Sequence, residues 1–282
     1  MWKRQLCLGL FSADIMPLEQ QLELLKATGF DGFFANWNPS VDVERLGKKA
    51  KALGLRFQSI HAPFGRSADM WHDDEKKAQL AVQELCSCVD ACVRCGVDLM
   101  IVHTFIGFEE HDPRPVGLTR FSQVVDYAAA RGVKIAFENT EGEEYLKALM
   151  DHFEGNAAVG FCWDTGHEMC YNHSQDLLAL YGDRLLCTHL NDNLGIRDYD
   201  GTITWLDDLH LLPFDGVADW QDIAARLHKW NFRDILTFEL TVSSKPGRHE
   251  NDCYAKMSFE DYITEVYKRA CRFGTLLNAL DK

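Results

Sequence analysis

The chain has 282 residues, 46% of them hydrophobic, and 29 basic against 43 acidic side chains give it a formal net charge of −14. That length suits one large core, so a single domain over residues 1–282 is expected. The acidic balance counts against a nucleic-acid partner, whose phosphates need Lys and Arg to displace their counterions. No apolar run approaches the roughly 20 residues of a membrane span, and "MWKRQLCLGLFSADIMPLEQ" reads as a first strand rather than a signal peptide, so a cytoplasmic protein without a membrane partner is expected.

Short β-like runs alternate with amphipathic segments along the chain. "LCLGLF" (6–11) precedes a helical pattern at 17–27, "FDGFFANW" (30–37) one at 41–53, and "RFQSIHAPF" (56–64) one at 75–95. "DLMIVHTF" (98–105) leads to 118–130, "KIAFEN" (134–139) to 143–153, and "VGFCWD" (159–164) to 175–181. "LLCTHLND" (185–192) and "ILTFEL" (235–240) lead to 220–230 and 259–280. Gly29, Gly54, Gly96, Gly132 and Gly182 stand just past helical patterns, as expected of left-handed stop residues. Eight βα units without an obvious linker predict a closed (β/α)8 barrel, with a doubly wound open sheet as the alternative.

The ten cysteines include "CSCVDACVRC" at Cys86, Cys88, Cys92 and Cys95. A metal cluster there would need paired CxxC knuckles; these thiols instead lie within a helical pattern beside Leu85, Val89 and Val93 and read as reduced, structural side chains.

The strand ends carry a second pattern. The third to eighth runs reach their C-terminal ends at His61, His103, Glu138, Asp164, His189 and Glu239. In a barrel those ends converge on the face where active sites are built. Each residue alone has a plain structural reading, such as a turn at Asp164-Thr165-Gly166. Six in matching positions call for a cation or substrate, because clustered buried carboxylates and imidazoles are otherwise costly.

The motifs "HAPF" (61–64), "HTF" (103–105), "FENTEG" (137–142), "WDTGH" (163–167), "THLNDN" (188–193), "DDLHLLPFDGVADW" (207–220) and "FEL" (238–240) resemble those of the xylose-isomerase-like barrel superfamily. That superfamily includes sugar isomerases and epimerases, inosose dehydratases and apurinic-site endonucleases of the endonuclease IV type. The resemblance implies that Glu138, Asp164, His189 and Glu239 hold a shared metal. Three carboxylates and an imidazole suit one divalent Mn, Mg, Co or Zn ion. It further implies that His167 contacts substrate or an additional metal, as His61, His103, Asp208 and His210 could, the last two having the DxH spacing of the endonuclease branch and leaving further zinc ions possible.

The chemistry expected of such a site is proton transfer next to a carbonyl, with Glu138 and Glu239 as the catalytic pair on opposite sides of the ring of strands. Return of the proton to the opposite face gives epimerisation, return to the neighbouring carbon gives isomerisation, and loss of a β-hydroxyl gives dehydration, as in an inosose dehydratase. Trp37, Phe64, Phe105 and Trp163 are candidates for an aromatic wall against a sugar, with Phe64 and Trp37 the foremost, and Arg197 for a hydrogen bond to substrate.

The loops after the third to eighth strands hold sixteen acids besides the proposed ligands, among them Glu141, Glu168, Asp192 and Asp207, against five bases, Arg66, Arg114, Arg197, Lys245 and Arg248. That imbalance favours a neutral sugar or polyol over a polyanion, with Lys245 and Arg248 leaving room for a local phosphate site. The expected activity is therefore that of a metal-dependent sugar isomerase or epimerase, with the dehydratase and the endonuclease as alternatives and self-association left open.

Overall fold

The computed structural model describes residues 4–109, 111–196 and 203–281. Eight parallel strands form a nearly closed barrel: β1 (Leu6–Gly9), β2 (Gly32–Asn36), β3 (Arg56–His61), β4 (Leu99–His103), β5 (Lys134–Glu138), β6 (Val159–Asp164), β7 (Leu185–His189) and β8 (Leu236–Phe238). Each strand pairs with its sequence neighbour and β1 pairs with β8, so the alternation produces the barrel and not the open doubly wound sheet. The β7 to β8 seam is the thin one. It has a single bridge, Leu190 to Phe238, and the Thr188 hydroxyl stands in for a ladder group by accepting from the Thr237 N–H at 3.2 Å.

Helices α1 (Leu18–Thr28), α2 (Val43–Leu53), α3 (Glu75–Cys95), α4 (Pro115–Ala129), α5 (Glu143–His152), α6 (Thr165–Cys170), α7 (Leu177–Tyr181), α8 (Trp220–Lys229) and α9 (Phe259–Leu280) follow the strands. Helix α3 shows how local sequence sets such an element. The Asp74 carboxylate caps it by accepting the Lys77 N–H at 3.1 Å, Gly96 ends it at φ 70°, and Ala78, Ala81, Val82, Leu85, Val89 and Cys92 recur at three- and four-residue intervals on its buried face. All ten cysteines are free thiols, and Cys88 and Cys92 are part of this packed face.

Three departures from the sequence reading have local causes. Helix α4 starts at Pro115, ahead of the apolar period, because proline, which has no N–H, suits the first helical turn, where an N–H would lack an intrahelical acceptor. Gly182 is not a left-handed stop: its φ is −65°, and a Cβ there would lie 2.4 Å from the Trp230 ring, so close approach of that ring requires glycine. The stretch after Asp164, where the sequence shows no helical pattern, is α6, started by the Asp164 side chain itself.

Alternation along the strands positions the polar residues. Ile101, Ala136, Cys162 and Cys187 belong to a small apolar cluster inside the barrel, and two residues beyond each stands His103, Glu138, Asp164 or His189. Register then sets their depth. Glu138 pairs with His103 and Cys162, whereas Asp164 pairs with His189, so Glu138 lies lower than Asp164 in the ring.

Candidate metal and catalytic site

The Glu138 carboxylate is fully buried, with Oε1 2.8 Å from His189 Nδ1 and Oε2 3.2 Å from His61 Nε2 and 3.3 Å from His103 Nε2. His189 Nδ1 also lies 2.9 Å from Glu239 Oε2. Burial pushes Glu138 up, but His189, His103 and His61 outweigh it and hold the carboxyl well below its ordinary value. Burial likewise disfavours a charged His189, yet Glu138 and Glu239 together raise it well above the usual imidazole value. Glu239, opposed by burial but drawn down by His189, falls to about 2. Asp164 behaves differently: burial dominates and pushes it up to about 6.

Amides and backbone groups fix Asp164. Its Oδ1 accepts the His167 N–H at 2.6 Å and its Oδ2 accepts from Asn191 Nδ2 at 2.8 Å. Asn139 clamps the neighbouring main chain, accepting the Asp164 N–H at 2.8 Å and donating to the Asp164 carbonyl at 2.9 Å. Gly166 is required by this packing, since a Cβ there would sit 1.9 Å from Asn191 Oδ1.

A loop between β7 and α8 brings in Asp208 and His210. It is held from below by Asp192, which is fully buried and accepts from the N–H groups of Asn193, Phe214 and Ala218 and from Trp220 Nε1 at 2.8 to 2.9 Å. Asp208 Oδ1 lies 2.8 Å from His210 Nε2 and 3.5 Å from His167 Nε2. Burial again works against the charged forms, but the mutual attraction wins, raising His210 to about 9 and holding Asp208 well below its ordinary value.

Single ligand atoms from Glu138, Asp164, His189 and Glu239 all lie within 4.8 Å of one another. Four further trios meet the same spacing, among them His61 with His103 and Glu138, and Asp164 with His167 and His210. His189 Nε2 and His103 Nδ1 are buried without a hydrogen-bond partner among the described residues. Three carboxylates and an imidazole converging in a buried ring form a donor set that fits a divalent cation.

Above this ring is a cavity of about 250 Å³ lined by His61, His103, His167, Asp208, His210 and Glu239, with Phe64 stacked on the His103 ring at a centroid distance of 4.6 Å. All nine acids and imidazoles singled out in the sequence thus meet in one place. The other aromatic candidates do not line the cavity. Trp37 is buried in the hydrophobic core, Phe105 stacks on Tyr145, and Trp163 donates to Glu168 under the Arg226 guanidinium. Arg197 lies outside the described residues.

The cavity has further walls that sequence reasoning assigned elsewhere or passed over. Tyr171 follows α6, which is too short to show an apolar period; Trp205 stands three residues before Asp208; Glu141 is by residue type one of many acids in these loops. Burial pushes the Glu141 carboxyl up.

The rim is also less acidic than the residue count suggests. Asp192, Asp207 and Glu168 are buried and hydrogen-bonded, the latter two to Arg248 and Arg226, while Glu110, Asp198 and Asp200 lie outside the described residues. The suggested phosphate pair does not form, because Arg248 is bound to Asp207 at 2.9 Å while Lys245 lines the cavity 3.8 Å from Asp208.

A family model described as xylose isomerase-like TIM barrel matches residues 22–258. Among curated proteins, the chain is 28% identical to an uncharacterized protein, y4fM, of Sinorhizobium fredii, over 90% of this chain and 92% of that one. It is 21% identical to "Probable endonuclease 4" of Acholeplasma laidlawii, over 79% of this chain and 66% of that one. Among solved structures, an L-ribulose 3-epimerase superposes with a TM-score of 0.73 at 17% identity, covering 99% of this chain and 96% of the other. The IolI protein with a bound zinc atom superposes with a TM-score of 0.74 at 17% identity, covering 98% of each chain. Among the described residues, no helix is long and apolar enough to cross a membrane.

Proposed function

The chain belongs to the xylose isomerase-like TIM barrel family, and from that premise we propose that it is a divalent-metal-dependent isomerase or epimerase of a neutral sugar or polyol. The observation that carries this reading is the position of Glu239. Its carboxylate reaches the cavity wall while Oε2 is held by His189, within the ring that also contains Glu138 and Asp164.

Held by Glu138, Asp164, His189 and Glu239, a divalent ion would supply Lewis-acid polarisation of a substrate carbonyl. The chain's own residues do the rest. Glu239 takes the proton from the carbon beside that carbonyl, using the oxygen that His189 leaves free. Glu138, which shares His189 Nδ1 with Glu239, is the second carboxylate of the pair, while His61, His103 and His167 orient hydroxyls in the cavity and Phe64 covers an apolar face. The fate of the proton decides between epimerisation, isomerisation and a dehydratase-like elimination.

The endonuclease alternative has an observation in its favour, the complete set of nine converging donors, and a relative named as an endonuclease. Against it, Lys245 is the one Lys or Arg among the described cavity-lining residues, and it stands beside Asp208. Protein stripped of metal and reloaded with Mn²⁺, Mg²⁺, Co²⁺ or Zn²⁺ should be offered unphosphorylated ketoses and inososes beside an abasic-site duplex. Metal-dependent conversion of a ketose or inosose is expected; efficient incision of the duplex with none of the sugars turned over would reverse the choice.

A further inference from the structure

A second cavity of about 280 Å³ adjoins the first, and Glu141 and Tyr171 line both. Each is smaller than the roughly 300 Å³ at which pockets for drug-sized ligands begin. The wall they share is polar and unfinished. Glu141 is 7% exposed, and neither its carboxyl nor the hydroxyl of Tyr171, also 7% exposed, bonds another described residue. Its own main-chain N–H is the one hydrogen-bond donor to the Glu141 carboxyl among the described residues, which leaves acceptor capacity that a ligand hydroxyl at the junction would use.

The second cavity has the two features that a sugar ring requires. One is an apolar face: the Phe108 ring, 44% exposed, is tilted over Tyr171 at 5.8 Å, and Tyr171 in turn lies over His167 at 5.1 Å, so aromatic surface runs from one cavity to the other. The other is a set of polar groups at its edge, where His111 Nδ1 pairs with Glu144 at 2.6 Å beside Glu143 and His173.

We propose that the two cavities form one bipartite site for a two-ring carbohydrate, with the reacting unit over the Glu138, Asp164, His189 and Glu239 ring, the second sugar ring against Phe108, and Glu141 bonded to a hydroxyl at the junction. This inference rests on the sugar reading given above. It narrows the substrate class from a free monosaccharide to a disaccharide-like molecule.

The test is calorimetric titration of protein purified without chelator and of known metal content. The ligands are glucose, cellobiose, maltose, sucrose and phenyl β-glucoside. At least one disaccharide should bind about tenfold more tightly than glucose, a difference of about 1.4 kcal/mol. The disaccharide-to-glucose ratio should fall towards one in Phe108→Ala and in Glu141→Ala, and Glu141→Gln, which keeps a hydrogen-bonding group, should retain more of it. Phe108 is exposed, so its substitution leaves the fold intact.

Glucose binding with no gain from any second ring would overturn the bipartite site while leaving the sugar reading in place, and so would a gain that survives both alanine variants. Tighter binding of phenyl β-glucoside alone would overturn the assignment of a second sugar ring. No binding by any of the five ligands would overturn the bipartite site, while the sugar reading is decided separately by the turnover of ketoses and inososes.

Discussion

Glu138 and His189 meet at 2.8 Å across the inside of the barrel, Oε1 against Nδ1, both fully buried. Glu239 closes on the same nitrogen from β8's end at 2.9 Å, so the imidazole lies between two carboxylates where a cation would otherwise balance them. A proton on His189 therefore does the work of a cation in this arrangement. Metal uptake must displace it.

Proton release follows from that relationship. Near neutral pH, Zn²⁺ or Mn²⁺ binding should release about one proton or more per site, because ligands must be deprotonated to bind and His189 is raised well above its ordinary value. The affinity should also fall as the pH drops through about 6, where burial has pushed Asp164 up and the carboxylate needed for the metal takes a proton. Titrations in buffers of different ionisation heat measure both. Metal binding with no proton exchange and a pH-independent affinity would contradict this account of the ring.

In the proposed mechanism Glu239 serves both metal binding and proton transfer, so its substitution should affect the two together. Glu239→Gln should lower turnover by about 10²- to 10⁴-fold, the usual scale of a lost general base, and weaken metal binding as well. The metal-free variant should still fold but with a lowered thermal midpoint, because the folded-state attraction between His189 and a charged Glu239 is lost. Full activity in the variant would remove Glu239 from the chemistry.

Asp192 is a support rather than a participant. It accepts four donors that position the loop carrying Asp208 and His210, and Asp192→Ala would leave several of them buried and unpaired at about 1 to 3 kcal/mol each. A loss of about 3 kcal/mol or more in denaturant unfolding is expected, together with lowered activity. A change below about 1 kcal/mol would mean that the loop is held by other contacts.

The parts of this site legible in the sequence are those fixed by strand periodicity. His103, Glu138, Asp164 and His189 each lie two residues beyond an inward apolar side chain, so alternation and barrel closure were enough to bring them together. Asp192, Asp207 and Glu168 were misread as rim charges because residue type reveals nothing about burial when the hydrogen-bond donors come from distant loops. Tyr171 was passed over for a related reason: α6 is only six residues long and is started by the Asp164 carboxylate, leaving too little apolar period to detect. Trp37 failed in the opposite direction, since an aromatic at a strand end serves a core as readily as a pocket.

Proton transfer beside a substrate carbonyl within the Glu138, Asp164, His189 and Glu239 ring exposes the reacting hydrogen to exchange with solvent. Metal-loaded protein should be incubated in deuterated water with the ketose or inosose it turns over, and the reacting carbon followed by proton NMR. Deuterium should enter at that carbon, stop when a chelator removes the metal, and nearly vanish in Glu239→Gln. Direct transfer of a carbon-bound deuterium label to the neighbouring carbon, with no solvent exchange and undiminished by Glu239→Gln, would contradict it.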